Sequence, residues 1–216
     1  MATGAAFHGQ YHWAVLMIVL GAVFDFFDGM SARALGVSSP IGKELDSLAD
    51  VVTFGVAPSA IIFYLFHEVV YPEVLQPFKS YIPYSAFLLA AFSALRLAKF
   101  NIDDTQTTEF CGLPTPANGL FCLSLAMLMA AGSISLSQWA ILTISIGMAY
   151  MLISPIRMFA LKFKGFGWQG NELRYLFILA SALIIAFVPL YSVAIIITLY
   201  IVVSTVKWLF SKKGEC

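Results

Sequence analysis

Long apolar stretches separated by short polar ones make up most of the chain. Seven of them, 13–35, 41–66, 81–100, 115–132, 138–156, 173–188 and 192–210, predict helices. A helix needs about 20 mainly apolar residues to cross the hydrocarbon core of a bilayer, and these stretches approach or exceed that length. Alternating segments of about ten residues, the mark of a membrane barrel, are absent. The breaks are well punctuated. Ser39-Pro40 offers an N-cap and a first-turn proline to the second helix. Pro72 and Pro77 mark one loop, Pro114 and Pro116 open the fourth helix, and Pro189 separates the last two. No internal repeat is evident.

Composition points the same way. Hydrophobic residues form 60% of the chain and charged residues 11%, against about 45–50% and about 25% in soluble domains. So few charges cannot cover a soluble globule of 216 residues. The expected fold is all-α: a polytopic transmembrane bundle of about seven helices, with residues 1–216 as a single membrane domain. Twelve Lys and Arg against twelve Asp and Glu exclude a basic nucleic-acid binder and an acidic disordered chain. Cys111, Cys122 and Cys216 show no metal-ligand spacing, and their odd number speaks against a disulfide framework. They read as small buried residues and a terminal thiol.

Cations give the orientation. If the helices alternate, one side holds Arg33, Lys43, Arg96, Lys99, Arg157, Lys162, Lys164, Arg174, Lys207, Lys212 and Lys213, and the other holds only Lys79. The positive-inside rule makes the first side cytoplasmic. It also places Met1 on the outer side.

Four carboxylates depart from this apolar background. Asp25, Asp28, Asp46 and Asp50 lie within or beside the first two predicted helices. Each ionised aspartate at mid-helix costs about 2.5–3.5 kcal/mol on insertion scales. Asp25 and Asp28 are spaced i, i+3, and Asp46 and Asp50 i, i+4, so each pair shares a helix face. The short connection between the helices lets the pairs face each other. Oxygen ligands without clustered His or Cys suit Mg²⁺ or Mn²⁺, not zinc. Four such ligands fit two divalent ions about 3.5–4 Å apart, a geometry that clamps phosphoryl groups. Gly29 leaves backbone open to a ligand, and Arg33 is a bidentate anion donor.

Together these residues read Asp25-x2-Asp28-Gly29-x2-Ala32-Arg33-x8-Gly42-x3-Asp46-x3-Asp50. The pattern resembles, without mismatch, the signature of the CDP-alcohol phosphatidyltransferase superfamily. The stretches Leu95 to Asn101 and Gly112 to Asn118 are similar to its bacterial phosphatidylserine synthase branch. The resemblance implies that the four aspartates hold two divalent ions, Mg²⁺ or Mn²⁺, on the pyrophosphate of CDP-diacylglycerol. It implies that Asp50 is also the base for the acceptor hydroxyl, that of L-serine. Gly29, Ala32, Arg33, Ser39 and Gly42 correspond to positions near the CDP-lipid, although Ser39 serves equally as a helix cap. The resemblance further implies an inner-membrane enzyme with a cytoplasm-facing site, membrane lipid as surroundings, no nucleic-acid partner, and a homodimer. Superfamily members carry a further transmembrane segment before the motif helix, which is expected to be missing here, since only a short stretch precedes His12.

Arg96, Lys99 and Asn101 follow at the cytoplasmic end of an apolar helix. They read as serine-binding residues, or as an anchor at the interface. Thr115 and Asn118 read as a helix start or as substrate contacts. His8 and His12, at i, i+4, suit the interface better than a metal. Other readings stay open: a transferase with glycerol phosphate or inositol phosphate as acceptor, or an ion or proton transporter using intramembrane aspartates.

Overall fold

The structure, a computed structural model, describes residues 1–36, 39–102, 109–159, 167–168 and 170–210, without the side chains of Arg33, Glu109 and Phe110. Lys162, Lys164, Lys212, Lys213 and Cys216, assigned above to the cytoplasmic side or to a terminal thiol, lie outside the described residues. Each stretch expected to be helical contains a helix, although 138–156 ends as a helix at Ile153 and 81–100 begins with a 3-10 segment, Ile82–Phe87. In chain order the helices are α1 (Ala2–Phe7), α2 (Tyr11–Leu35), α3 (Pro40–Asp50), α4 (Ala57–Glu68), α5 (Leu88–Ile102), α6 (Thr115–Ala130), α7 (Gln138–Ile153), α8 (Glu172–Phe187) and α9 (Ser192–Phe210). A π-helical turn, Val51–Val56, joins α3 to α4, so one helical path runs from Pro40 to Glu68. Four segments are long and apolar enough to cross a membrane: Tyr11–Ala32, Pro40–Glu68, Ile82–Ile102 and Pro189–Phe210. Helices α6 and α7 are apolar but shorter. The chain is a multi-pass membrane protein.

The capping signals act as expected. Ser39 has extended backbone and accepts a hydrogen bond from the Gly42 amide at 3.1 Å, while Pro40 occupies the first turn of α3. Ser137 caps α7 in the same way through the Ala140 amide. The π turn has a local cause. Pro58 has no amide hydrogen for the carbonyl of residue 54, and its ring crowds that carbonyl. The wider turn just before Pro58 relieves both.

Helix α4 is the axis of the bundle. Ala57, Ala60, Ile61, Ile62, Leu65 and Phe66 are buried around its circumference, as a helix apolar on every face requires. It packs against α1, α2, α6 and α7, while α5 lies against the π turn. Two glycines let helices approach that turn closely. A Cβ at Gly119 of α6 would stand 3.2 Å from the Phe54 carbonyl oxygen, and one at Gly55 would stand 3.1 Å from the Ser93 Cβ. Helix α8 is peripheral, with Phe177 as its one buried side chain among the described residues. Its exposed leucines and isoleucines suit contact with acyl chains.

A two-stranded antiparallel pair was not foreseen. Strands β1 (Glu109–Cys111) and β2 (Arg157–Phe159) pair with Glu109 opposite Phe159 and Cys111 opposite Arg157. Phe159 packs on Phe177 and Tyr200, with ring centroids 5.5 and 4.9 Å away, and its carbonyl accepts a hydrogen bond from the Tyr200 hydroxyl at 2.9 Å. Cys122 is free and buried in α6, as expected. Cys111 is disulfide-bonded, contrary to expectation; it lies in a strand between helices and not in an apolar helix interior.

The close approach at Gly119 generates a test. Gly119→Val must push α6 from the Phe54 backbone, an overpacking that costs about 1–3 kcal/mol. Thermal unfolding in detergent should show a clearly lowered midpoint for Gly119→Val and a smaller loss for Gly119→Ala. An unchanged midpoint would mean that α6 does not bear on the π turn.

Candidate active site

The site lies between α2 and α3. The two helices form a hairpin that leaves a cavity of about 990 Å³. At its deep end a Cβ on Gly21 would stand 3.1 Å from the Thr53 side chain, so the helix paths come close there. Toward the connection they diverge. Asp25, Asp28, Gly29 and Ala32 line the cavity from α2, and Ser39, Gly42, Asp46 and Asp50 line it from the other side. The helical spacing of each acidic pair therefore does what it predicts.

Three carboxylates gather. One oxygen each of Asp25, Asp28 and Asp46 lies within 4.8 Å of the others. Asp25 and Asp46 are within hydrogen-bonding reach across the hairpin. Asp28 and Asp46 are exposed, and Asp25 and Asp50 are half-buried. Asp50 stands outside the tight group, on the same cavity wall, where it feels the negative charges of the other three and the positive charge of Arg96. The donors are all carboxylate oxygens, the ligand type of hard divalent cations.

The remaining expected residues divide. Arg33 lies on α2 next to Ala32, but its side chain is outside the description. Ser39 is a cavity residue and a helix cap together. Gly42 is likewise a cavity residue beside that cap, and a Cβ there would stand 2.9 Å from the Ser39 Oγ. Arg96 is buried and donates from Nη1 to the Thr115 hydroxyl at 3.1 Å. Lys99, one turn further, is exposed and does not line the cavity. Asn101 braces α5 against α3: its amide donates to the Ser47 hydroxyl at 2.9 Å and to the Glu44 carboxylate at 3.4 Å, and its carbonyl accepts from Lys43 Nζ at 3.0 Å. Asn101 is thus placed as a strut between helices.

Two lining residues were not foreseen. Thr53 and Phe54 border the cavity from the π turn, and Lys43 borders it from α3. The signal for that turn was Pro58 inside an apolar stretch, preceded by Gly55. Irregular turns of this type recur at functional sites.

Known proteins resemble this chain in sequence. Residues 1–162 match the CDP-alcohol phosphatidyltransferase family. A Bacillus subtilis relative named CDP-diacylglycerol–serine O-phosphatidyltransferase is 34% identical over 162 residues, covering 73% of this chain and 80% of the relative. A Helicobacter pylori relative of the same name is 28% identical over 217 residues, covering 93% of this chain and 81% of its own. One from Methanocaldococcus jannaschii, again so named, is 36% identical over 141 residues, covering 65% of this chain and 61% of its own. With the family match running through the acidic hairpin and beyond, this chain belongs to the CDP-alcohol phosphatidyltransferase family.

Proposed function

We propose that the chain is a phosphatidylserine synthase, which moves the phosphatidyl group of CDP-diacylglycerol to the hydroxyl of L-serine and releases CMP. The observation that carries the chemistry is the convergence of Asp25, Asp28 and Asp46 within 4.8 Å in a cavity that Asp50 also lines. The names of the relatives supply the acceptor.

The residues present fit a divalent ion by their chemistry. Asp25, Asp28 and Asp46 would hold it, with Asp50 as a further ligand when two ions bind. Bound Mg²⁺ or Mn²⁺ supplies charge neutralisation for the pyrophosphate. Gly29 and Ala32 present little bulk, so the α2 backbone is open to the nucleotide. Arg33 follows them in the motif as the phosphate donor. Asp50 takes the proton from the serine hydroxyl as that oxygen attacks the phosphorus bearing diacylglycerol. The bond from that phosphorus to the CMP oxygen breaks, and CMP leaves. Positioning and charge stabilisation do most of the work in such a transfer.

The proposal also covers setting. Residues 1–216 act as one domain in the inner membrane, with the site toward the cytoplasm, where soluble serine meets the lipid. The excess of cations on that side supports this orientation. Two chains form a homodimer. Crosslinking in native membranes checks the last point.

Purified protein given CDP-diacylglycerol should release CMP with serine, and not with glycerol 3-phosphate or inositol phosphate. EDTA should abolish the release, and Mg²⁺ or Mn²⁺ should restore it. Full turnover in metal-free buffer would remove the ions from the reading.

Asp50 and Asp28 should separate in their effects. Asp50→Asn keeps size and one oxygen ligand but loses charge and basicity. Nucleotide binding by calorimetry should weaken only several-fold, while kcat falls by about 10²–10⁴, the usual worth of a positioned base. Asp28→Asn should lose metal and nucleotide binding together. Asp50→Asn with more than about a tenth of the original turnover would take Asp50 out of the base role.

A further inference from the structure

Helix α3 carries Asp46 and Asp50, yet apolar packing does not hold it, since none of its side chains is buried. At about 100° per residue its surface divides into three faces. Ser39, Gly42, Asp46, Ala49 and Asp50 turn toward the cavity. Ile41 and Leu48, 71% and 61% exposed, lie on the opposite side. Between them runs a narrow polar face of Lys43, Glu44 and Ser47, joined by i, i+3 and i, i+4 spacing.

That polar face meets Asn101, in the last turn of α5. The Asn101 amide donates to the Ser47 hydroxyl at 2.9 Å and to the Glu44 carboxylate at 3.4 Å, and its main-chain carbonyl accepts from Lys43 Nζ at 3.0 Å. Side chain and backbone of one residue thus grip α3 at three points. A carbonyl this near the end of α5 has no partner within its own helix, and the helix dipole favours a cation there. Asn101 is half-buried, unlike Arg96, Thr115 and Asn118, which are closed off in the bundle behind the π turn.

The grip opposes rotation of α3 about its own axis. Ser47 is the chain neighbour of Asp46, and Lys43 itself borders the cavity. At its far end α3 runs into the π turn, Val51–Val56, where the regular α-helical ladder is interrupted. Asp25, Asp28 and Asp46 bring one oxygen each within 4.8 Å of the others. A roll of half a residue step, about 50°, would swing the Asp46 carboxylate out of that group. Oxygen ligands must stand about 2.0–2.6 Å from a hard divalent ion, so such a roll would break the site.

We propose that Asn101 is a positioning residue for the ion site: by gripping Lys43, Glu44 and Ser47 it fixes the roll of α3, and so holds Asp46 against Asp25 and Asp28. The proposal rests on the ion-dependent transfer proposed above and adds the residue that sets how tightly the ion is held. In this role Asn101 touches neither ion nor substrate.

The test uses the full chain in detergent with Mn²⁺ alone, its free concentration read from the EPR signal of the aqueous ion. Neither lipid nor acceptor is present, so the reading does not depend on turnover. Asn101→Leu keeps the volume and removes the amide. It should raise the Mn²⁺ dissociation constant by about tenfold, the scale of one or two lost hydrogen bonds. Ser47→Ala should weaken binding by less. The double variant should bind no worse than Asn101→Leu, because both changes act through one contact. In turnover with CDP-diacylglycerol and serine, Asn101→Leu should need about tenfold more Mn²⁺ for half-maximal rate, and should regain most of the original kcat once Mn²⁺ saturates.

Unchanged Mn²⁺ affinity in Asn101→Leu overturns the proposal. With a lowered melting temperature that result makes Asn101 merely structural, and with a raised serine KM it makes Asn101 a serine contact. Losses in the two single variants that simply add overturn it as well. Should Asn101→Leu fail to fold, Asn101→Ala and Ser47→Ala carry the same comparison from the two sides. If the unaltered protein binds no Mn²⁺, the ion reading falls and takes this proposal with it. If it binds Mn²⁺ but transfers to an acceptor other than serine, the proposed acceptor falls, and Asn101 is judged by the titration alone.

Discussion

Like charges that must sit close together in an apolar setting are the constraint on which this fold turns. Each ionised aspartate costs about 2.5–3.5 kcal/mol within a membrane helix when unpaired, and neighbouring carboxylates repel one another as well. The structure answers by grading exposure. Asp28 and Asp46 face the open cavity, while Asp25 and Asp50 are half-buried. Helix α3 contributes no buried side chain at all, so packing cannot hold it. Its position depends on the brace from Lys43 and Ser47 to Asn101 of α5 and on the continuous path into α4. Helix α3 is thus an open arm fastened to a rigid axis, while α2 packs into the bundle.

Much of this could be read in the residues. The seven helices follow from apolar length and from proline and serine punctuation, because local rules decide where a helix starts. The meeting of Asp25, Asp28 and Asp46 follows from helical spacing plus a short connection. What could not be read depends on distant contacts. The Asn101 amide is placed against Ser47 and Glu44, on a helix more than fifty positions earlier in the chain. Arg96 and Lys99 share a turn and look alike in sequence, yet one is buried and the other exposed. The strand pair β1–β2 consists of two three-residue segments nearly fifty positions apart, each too short to show a period of two.

The two polar regions differ in how water reaches them. The carboxylates open onto a cavity wide enough for a nucleotide, so ions and solvent can screen them. The Arg96 and Asn118 region is closed, and polarity there must be matched atom by atom. The π turn separates the two, with Asp50 just before it and Pro58 just after it.

That turn also constrains how the gene can drift. One residue more or fewer rotates everything on one side of it by about 100° relative to the other, the angle of a single helical step. A deletion between Asp50 and Pro58 would carry Asp46 and Asp50 away from Asp25 and Asp28, or else turn the buried face of α4 outward. Substitutions in Val51–Val56 disturb packing locally, but a change of length there breaks the phase between the chemistry and its support. In descendants of this chain, the spacing from the last aspartate to the proline should outlast the identity of the residues between them.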